Sequence, residues 1–268
     1  MKLDGKMVLL TGAGRGIGQA AAVELARAGA HILGIDLRAD SMEETAAKTA
    51  VLGVRFEAFA CDVSDRTATA ALLETIAEKF GGIDVLINNA GVLPCGPFEE
   101  RDFGDWQKTI EINLLGLMAL THAALPLMLQ RNEGHIVNLA SVAGKFGSEG
   151  LAAYAASKHG VVGFSSALRA ELADRNIGVS WICPSFVNTG MIAGVTRTAW
   201  TPLVTPEIVA RAIRRAIETN ASEVFLPRLM HLTAGVMPNL LPNAWRKMLR
   251  WTKASQGWLH ANKSLGAS

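Results

Sequence analysis

The sequence predicts a single α/β domain in which about seven parallel strands form one doubly wound sheet with helices on both faces. Two patterns lead to this assignment. Short runs rich in Val, Ile and Leu alternate with longer stretches of helical period, as in consecutive βαβ units. A glycine-rich turn also joins the first of these runs directly to a helical stretch. With 268 residues, half of them apolar, the chain is long enough to build one complete core.

The elements follow in a regular order along the chain. Strands are predicted at 7–11, 31–35, 54–60, 83–87, 135–139, 178–183 and 223–226. Their almost unbroken apolarity indicates burial on both faces, which is typical of parallel sheets. Helices are predicted at 16–28, 41–51, 65–79, 102–130, 152–174 and 206–219. Ser41 and Glu44 have the spacing of a capping box and mark the start of the second helix.

Composition divides the chain into a domain at 1–228 and a C-terminal extension at 229–268. Arg228 and the residues after it include six Lys or Arg and no acid, whereas 20 basic and 24 acidic residues precede Arg228. Three of the six tryptophans lie in the extension, and 244–253 has the pattern of a basic amphipathic helix. Two interpretations stay open: peripheral contact with an anionic membrane surface, and packing on the protein's own domain or on a partner subunit.

The balance of charge and cysteine argues against several classes of protein. A net charge of only +2 gives no field that would concentrate nucleic acid, so no nucleic-acid partner is expected. Cys61, Cys95 and Cys183 are odd in number and widely spaced, which favours free thiols in a reducing, cytoplasmic setting. The histidines have no paired spacing with one another or with cysteine, so no metal is expected.

Neither a secretory leader nor a membrane-spanning helix is expected. The first apolar run, at 7–10, ends in Thr11 and Gly12 instead of a cleavage site of small residues. The best candidate for a spanning helix, 224–241, is interrupted by an arginine, a histidine and two prolines.

The turn between the first strand and the first helix has the sequence of a phosphate-binding loop. It comprises Thr11, Gly12, Ala13, Gly14, Arg15, Gly16, Ile17 and Gly18. Glycines allow a tight turn and let the backbone approach a pyrophosphate, while the helix N-terminus presents unpaired N–H groups to it. Because this turn lies between a strand and a helix, it predicts a Rossmann-type dinucleotide site.

The second strand is followed by Asp36, at about 20 residues from the loop, where a carboxylate can accept hydrogen bonds from both hydroxyls of the adenosine ribose. This position predicts NAD as the cofactor. Arg15 and Arg38 favour the alternative, NADP, since either guanidinium can neutralise a 2′-phosphate. NAD is preferred here because Asp36 would repel that phosphate at close range.

Tyr154, the one tyrosine of the chain, and Lys158 form the predicted catalytic pair. Their i, i+4 spacing in the fifth predicted helix places both on one face. A phenol needs a neighbouring cation to act as a general base near neutral pH, and a lysine can supply it. Ser141 follows the apolar run 136–140 at the carboxyl edge of a strand, so its hydroxyl can bind a substrate oxygen.

Further short motifs accompany the loop and the catalytic residues along most of the chain. They comprise Asp62, Val63, Asn88, Asn89, Ala90, Gly91, Asn113, Ser141, Tyr154, Ala155, Ala156, Ser157, Lys158, Pro184 and Thr189. In this order they resemble the motifs of the short-chain dehydrogenase/reductase family. The resemblance implies an NAD(P)-dependent oxidoreductase that moves a hydride between the cofactor and a small secondary alcohol or ketone.

The resemblance also implies a role for each catalytic position. Tyr154 would exchange the proton with the substrate oxygen, and Ser141 would bind that oxygen. Lys158 would lower the pKa of Tyr154 and hold the nicotinamide ribose. Asn113 would help to position a water-mediated proton relay, and Asp62 would meet the adenine.

The remaining motif positions are implied to surround the cofactor. The turn 88–91 would border it while bracing the sheet. Pro184 and Thr189 would line the nicotinamide side, with backbone groups of Val187 near the carboxamide. Ser185 departs from the family pattern, which has glycine directly after this proline, so a slightly different local backbone is expected.

The segment 190–206 resembles the substrate lid of the family, and an ordinary surface helix is the alternative interpretation that stays open. Its apolarity, together with Trp200, predicts an apolar substrate that is steroid-, retinoid- or lipid-like. Leu93, Pro94 and Phe146 are expected to line the opposite wall of the pocket.

The resemblance further implies a homodimer or homotetramer built through the fourth and fifth predicted helices. One alternative function stays open, a non-catalytic NAD(P)-binding redox sensor or scaffold. Asn113, Ser141, Tyr154 and Lys158 argue against it, because a protein that only binds the nucleotide does not need a proton path.

Overall fold

The computed structural model describes residues 1–195, 203–252 and 256–259. The strands in this part of the chain are β1 Met7–Thr11, β2 His31–Asp36, β3 Phe56–Ala60, β4 Val85–Asn88, β5 Gly134–Leu139, β6 Ile177–Pro184, β7 Phe186–Val187, β8 Leu203–Val204 and β9 Glu223–Leu226. All the predicted strands are confirmed. The expected burial on both faces holds for inner strands such as β4 and β5, whereas β3 at the edge of the sheet is only partly buried.

The described strands form one seven-stranded parallel sheet in the order β3-β2-β1-β4-β5-β6-β9, and β7 pairs with β8 beside it. The order changes direction between β1 and β4. Ligands of open α/β sheets bind at the carboxyl ends of the strands at such a point. Thr11 and Asn88, which end these two strands, therefore mark the place of the site.

The described helices are α1 Gly16–Arg27, α2 Glu43–Ala50, α3 Arg66–Phe80, α4 Phe103–Ile110, α5 Leu117–Arg131, α6 Ala152–Glu171, α7 Pro206–Thr219, α8 Met237–Leu240 and α9 Pro242–Thr252. The predicted capping box at the start of α2 is wrong. Ser41 lies in a 3₁₀ turn, Asp40–Met42, where its hydroxyl donates to the carbonyl of Arg38 at 2.6 Å. The hydroxyl of Ser41 therefore bonds to the turn before α2 and does not cap the helix.

Helices cover both faces of the sheet. On one face, α1 packs beside α7 over Val8 and Leu10 of β1. On the other face, α3 packs beside α5 over Leu9. Consecutive strand residues point to opposite faces, so this single strand contributes to both halves of the core.

α4, a π-helical turn at Glu111–Gly116 and α5 form one continuous helix, Phe103–Arg131. By length and composition it is the one helix in the described part of the chain that is apolar enough to cross a membrane. The choice of 224–241 as the best candidate for a spanning helix is therefore wrong, since 112–130 has no Asp, Glu, Lys or Arg. In this structure Leu120 and Met128 of the helix are buried against the sheet, as in the core helix of a globular domain.

The C-terminal extension packs on the domain that precedes it. After β9, a π-helical turn at His231–Val236 leads into α8 and α9. Trp245 of α9 is buried, and its ring centroid lies 5.1 Å from that of Phe146. A final described turn, Gln256–Trp258, comes back against the domain. Lys253, the last residue of the predicted amphipathic helix, lies outside the described residues.

Candidate active site

The loop between β1 and α1 has the conformation that its glycines allow. Gly16 has φ +55°, in the left-handed region that favours glycine. A Cβ at Gly18 would collide with the carbonyl oxygen of Gly12, so the helix approaches the strand this closely only without a side chain there. Arg15 is exposed and gives the first turn of α1 no side-chain cap. The N–H groups of that turn, which begins with Gly16 and Ile17, can therefore bind a phosphate.

Hydrogen bonds join the loop to the carboxyl end of β4. The hydroxyl of Thr11 accepts from the N–H groups of Asn89 and Ala90, both at 2.9 Å. The side-chain amide of Asn89 donates to the carbonyls of Thr11 and Gly12, at 2.9 and 3.1 Å. The turn after β4 thus braces the sheet and borders the loop.

Asp36 lies beside the loop at the end of β2. One of its carboxylate oxygens accepts from the N–H of Gly14 at 3.0 Å, and the other accepts from the N–H of Leu37 at 2.9 Å. Arg38 instead pairs with Asp40, with its Nε 2.9 Å from a carboxylate oxygen. The carboxylate of Asp36 therefore faces the loop, while the charge of Arg38 is already balanced.

Asp62 and Val63 follow β3, the neighbour of β2, at the same edge of the sheet. Asp62 is exposed, and one of its carboxylate oxygens accepts from the N–H and the hydroxyl of Ser64, at 2.9 and 2.6 Å. Val63 is buried in the core beneath it. This places a carboxylate beyond Asp36, on the side where a dinucleotide in the loop would carry its adenine.

Tyr154 and Lys158 lie on α6 and meet Ser141, which follows β5. All three side chains are buried. The Nζ of Lys158 is 5.7 Å from the centroid of the Tyr154 ring and donates to the carbonyl of Leu139 at 2.6 Å. Tyr154 is hydrogen-bonded to Ser141, whose hydroxyl also accepts from the N–H of Ala143 at 3.1 Å. The structure therefore brings the three predicted residues together.

Burial dominates the ionisation of this pair. It raises the pKa of Tyr154 to about 12, and the hydrogen bond with Ser141 opposes this rise. Burial also lowers the pKa of Lys158 to about 8. The structure does not show the expected lowering of the Tyr154 pKa by Lys158, because burial is the largest effect on the phenol. At neutral pH the phenol is thus protonated and able to donate.

Asn113 lies in the π-helical turn between α4 and α5 and is buried. Its side-chain amide accepts from the N–H of Val92 at 2.8 Å and donates to the carbonyl of Val92 at 2.9 Å. It also donates to the hydroxyl of Ser157 at 3.2 Å. A Cβ at Gly91 would lie 3.0 Å from the amide oxygen. The side chain therefore fixes the segment after β4 against α6.

The segment after β6 runs alongside the glycine loop. A Cβ at Gly16 would lie 3.2 Å from the methyl carbon of Thr189. The N–H of Thr189 donates to the carbonyl of Val187 at 2.8 Å. Pro184 ends β6. The φ angle of Ser185, the next residue, is not positive. Serine is therefore accommodated at this position without a left-handed backbone.

An apolar cluster includes Tyr154, and we call it the Tyr154 cluster. Its buried members are Leu93, Cys95, Ala143, Leu151, Tyr154 and Trp258, with Phe186, Ile192 and Val195 packed against them. Leu93 was expected in the pocket wall, and Ile192 and Val195 belong to the expected lid. Trp200, also expected in the lid, lies outside the described residues.

Sequence reasoning placed one apolar residue wrongly and missed other members of the Tyr154 cluster. Phe146 packs against Trp245 of α9, so its place in the pocket wall is wrong. The sequence could have indicated Cys95 and Leu151 as neighbours of the site. Cys95 follows the predicted turn at 88–91, and Leu151 directly precedes the predicted helix at 152–174. Trp258 has no local signal, because only the path of the extension brings it to the site.

The residues around the loop fit a dinucleotide. Among the described hydrogen bonds, the buried ammonium group of Lys158 makes one, to Leu139, so two of its three donors can bind a ribose hydroxyl. The uncapped first turn of α1 suits a pyrophosphate, and Asp36 suits the other ribose. Within the described residues, no group of three or more His, Cys, Asp or Glu is placed to hold a metal ion, and the three cysteines are free and buried.

A dinucleotide loop next to a phenol, an ammonium group and a hydroxyl defines the class of protein. Nicotinamide chemistry needs a protein that orients the cofactor and moves one proton, and these groups can do both. The site is that of a nicotinamide-dependent oxidoreductase.

Comparison with known proteins gives the family. A family model described as short chain dehydrogenase matches residues 6–200. The 17-beta-hydroxysteroid dehydrogenase 13 of Rattus norvegicus is 37% identical over 233 residues, which cover 85% of this chain and 77% of that protein. The estradiol 17-beta-dehydrogenase 11 of Rattus norvegicus is 35% identical over 249 residues, which cover 92% and 83%. The 3-oxoacyl-(acyl-carrier-protein) reductase FabG of Thermotoga maritima is 36% identical over 191 residues, which cover 71% and 78%.

A solved structure has the same fold. The crystal structure of a short-chain type dehydrogenase/reductase from Mycobacterium marinum superposes with a TM-score of 0.77 at 24% identity, over 84% of this chain and 94% of that one. The chain belongs to the short-chain dehydrogenase/reductase family. It is an NAD(P)-dependent oxidoreductase that acts on CH–OH groups of small molecules. This membership sets aside the alternative of a non-catalytic sensor or scaffold.

Proposed function

We propose that the protein transfers a hydride between NAD and an apolar secondary alcohol or ketone that is steroid-, retinoid- or lipid-like. The observation that carries the proposal is the Tyr154 cluster, because a substrate oxygen that reaches this phenol must pass buried apolar side chains. The printed names of the relatives refer to a hydroxysteroid, to estradiol and to an acyl group. These names support an apolar substrate and leave the choice between rings and chains to experiment.

In the proposed mechanism the protein supplies orientation and the proton. The phenol of Tyr154 donates its proton to the oxygen of a ketone during reduction and takes it from an alcohol during oxidation. Ser141, which is hydrogen-bonded to Tyr154, binds the same oxygen. Lys158 holds a ribose hydroxyl, and Asn113 keeps the segment after β4 in place. A bound nicotinamide would supply or accept the hydride.

The test is a substrate panel read by the absorbance of reduced nicotinamide. The panel contains methyl ketones of rising chain length, a fused-ring ketone and a polyhydroxylated ketone. We expect kcat/KM to rise by up to about fourfold for each added CH₂ that the pocket buries. A preference for the polyhydroxylated ketone contradicts the proposed substrate class.

We propose NAD as the preferred cofactor, because Asp36 borders the loop while Arg38 is paired with Asp40. Asp36→Ser is expected to lower the preference for NAD over NADP by about 10- to 100-fold in kcat/KM. The change removes both a ribose acceptor and the repulsion of a 2′-phosphate. Glu43→Gln, at an exposed position on α2, is the control and should leave the preference unchanged. An unaltered preference in Asp36→Ser contradicts this assignment.

We propose a homodimer or homotetramer that uses the outer faces of the long helices. Leu115, Met118 and Leu129 are exposed along Phe103–Arg131, although they are apolar. Small exposed residues of α6, among them Ala156, would let a second copy approach closely. Sedimentation velocity of the purified protein measures the mass directly, and a monomer at micromolar concentration contradicts the proposal.

We further propose a cytoplasmic protein whose extension contacts an anionic membrane surface. The exposed apolar side chains there are Leu229, Leu232, Leu240, Leu241 and Trp251, and the exposed basic ones on α9 are Arg246, Lys247 and Arg250. Exposed apolar and basic side chains in one segment suit the interface of anionic lipid. The free cysteines support the reducing compartment.

The prediction is that the protein sediments with anionic vesicles and not with neutral ones. Reversing Lys247 and Arg250 to Glu should weaken this binding by about tenfold or more, at about 1 kcal/mol for each basic residue removed and a further loss from repulsion. Reversing Lys48 and Lys79, on other helices, is the matched control. If the unchanged protein stays in the supernatant with anionic vesicles, the extension has no lipid role.

A further inference from the structure

The turn Gln256–Trp258 brings a tryptophan from the end of the chain to the active site. The side chain of Trp258 is 6% exposed and lies in the Tyr154 cluster, together with Leu93 and Leu151. The family model matches residues 6–200, so this turn lies beyond the part of the chain that the family defines. The motifs of the family therefore assign no role to Trp258.

Two contacts fix the position of this indole. It stacks on Phe186, with ring centroids 4.8 Å apart and ring planes 25° from parallel. The backbone of Trp258 lies so close to Gly150, which has φ +74°, that a Cβ there would be 3.0 Å from the Trp258 carbonyl carbon. Phe186 belongs to the segment that runs along the glycine loop, so the indole packs on that segment and shares one apolar cluster with Tyr154.

We infer that Trp258 is a specificity-determining residue of the substrate pocket. This inference rests on the proposed function, in which the reacting carbon lies at the hydroxyl of Tyr154. The rest of an apolar substrate must then lie along the Tyr154 cluster, where Trp258 is the largest of the side chains that the structure describes. A rigid aromatic plane favours flat rings or an extended chain beside it and excludes branched groups from the same space.

The experiment compares kcat and KM for a fused-ring ketone and for a small methyl ketone. In Trp258→Ala, the ratio of kcat/KM between the fused-ring and the small ketone is expected to fall by about tenfold, mostly through KM. Trp258→Phe keeps an aromatic plane and should recover most of the ratio. The affinity for the cofactor should stay the same in both variants, which also shows that they fold.

Trp251→Ala is the matched control. Trp251 lies in the same extension but is 81% exposed, so its replacement should leave the ratio unchanged when no vesicles are present. If Trp258→Ala changes both substrates by one common factor, Trp258 is part of the packing only and the inference is overturned. The inference is also overturned if Trp251→Ala shifts the ratio as much as Trp258→Ala does.

A binding measurement separates this inference from the proposed function. Calorimetric titration of the fused-ring ketone into cofactor-bound Tyr154→Phe protein needs no turnover. Adding Trp258→Ala to that variant should weaken binding about tenfold. Unchanged affinity overturns the role of Trp258 even where Tyr154 proves catalytic, whereas a Tyr154→Phe protein with full turnover overturns the mechanism and leaves the binding result standing.

Discussion

Tyr154→Phe is expected to lower kcat by on the order of 10³-fold and to leave the affinity for the cofactor within about twofold of its original value. The substitution removes one oxygen and keeps the ring in the Tyr154 cluster, so the pocket keeps its shape while the proton donor is lost. The hydrogen bonds of the glycine loop join it to Asn89, Ala90 and Asp36 and do not involve the phenol. Single-turnover kinetics with a saturating ketone and a cofactor titration by fluorescence measure the two quantities.

The size of the loss distinguishes proton transfer from simple packing. Leu93→Val is a suitable control, because it trims the same cluster without touching a proton, and it should change kcat by less than about tenfold. If Tyr154→Phe retains turnover within about tenfold of the original, another group moves the proton and the mechanism fails.

The ionisation of Tyr154 can be read directly, because no other residue of the chain is a tyrosine. In the cofactor-free protein, phenolate absorbance should develop around pH 12, since burial raises the pKa of Tyr154 to about 12. With the cofactor kept saturating, ketone reduction uses the protonated phenol and should therefore persist into the alkaline range, whereas alcohol oxidation needs the phenolate and should accelerate as pH rises. Absorbance that develops at the pH of free tyrosine contradicts the burial of the phenol.

The fold and the meeting of Ser141, Tyr154 and Lys158 could be predicted because their signals are local. Strands buried on both faces are continuous apolar runs, and the conformation at Gly16 and the close packing at Gly18 restrict those positions to glycine. The i, i+4 spacing of Tyr154 and Lys158 fixes their common face as soon as the helix is recognised. Each of these features depends on neighbours in the sequence.

The rest depends on contacts between distant parts of the chain. Nothing in the sequence around Trp258 indicates that it stacks on Phe186, since that contact follows from the path of the whole extension. The apolar stretch 112–130 has the composition of a spanning helix, and only tertiary packing shows that the sheet covers it. The pKa of Lys158 also depends on tertiary structure, because the sequence shows the neighbours of Lys158 on α6 and does not show its burial.

Lys158→Ala is expected to lower kcat by about 100-fold or more and to weaken cofactor binding by about 10- to 100-fold. A hydrogen bond from an ammonium group contributes about 1.5–3 kcal/mol, which corresponds to this loss of affinity. Lys79→Ala, at the exposed end of α3, is the control and should change neither quantity. Cofactor affinity of the original protein should also fall as pH rises through about 8, where Lys158 loses its proton. A variant that binds the cofactor normally contradicts the ribose contact.

The same lysine is expected to destabilise the cofactor-free protein. The pKa of Lys158 is about 8 in the folded protein and has the ordinary lysine value of 10.5 in the unfolded chain. Below pH 8 the folded protein therefore holds a charged ammonium group in its core, and the burial of this charge lowers the free energy of unfolding. Between these values the unfolded chain binds the proton that the folded chain lacks, so stability rises with pH. Lys158→Met should therefore raise the free energy of unfolding by about 1 kcal/mol at pH 7, and the difference should close toward pH 10. If Lys158→Met is instead less stable at pH 7, the ammonium group stabilises the fold. A buried lysine at this position would then be explained by stability alone, without a role in catalysis.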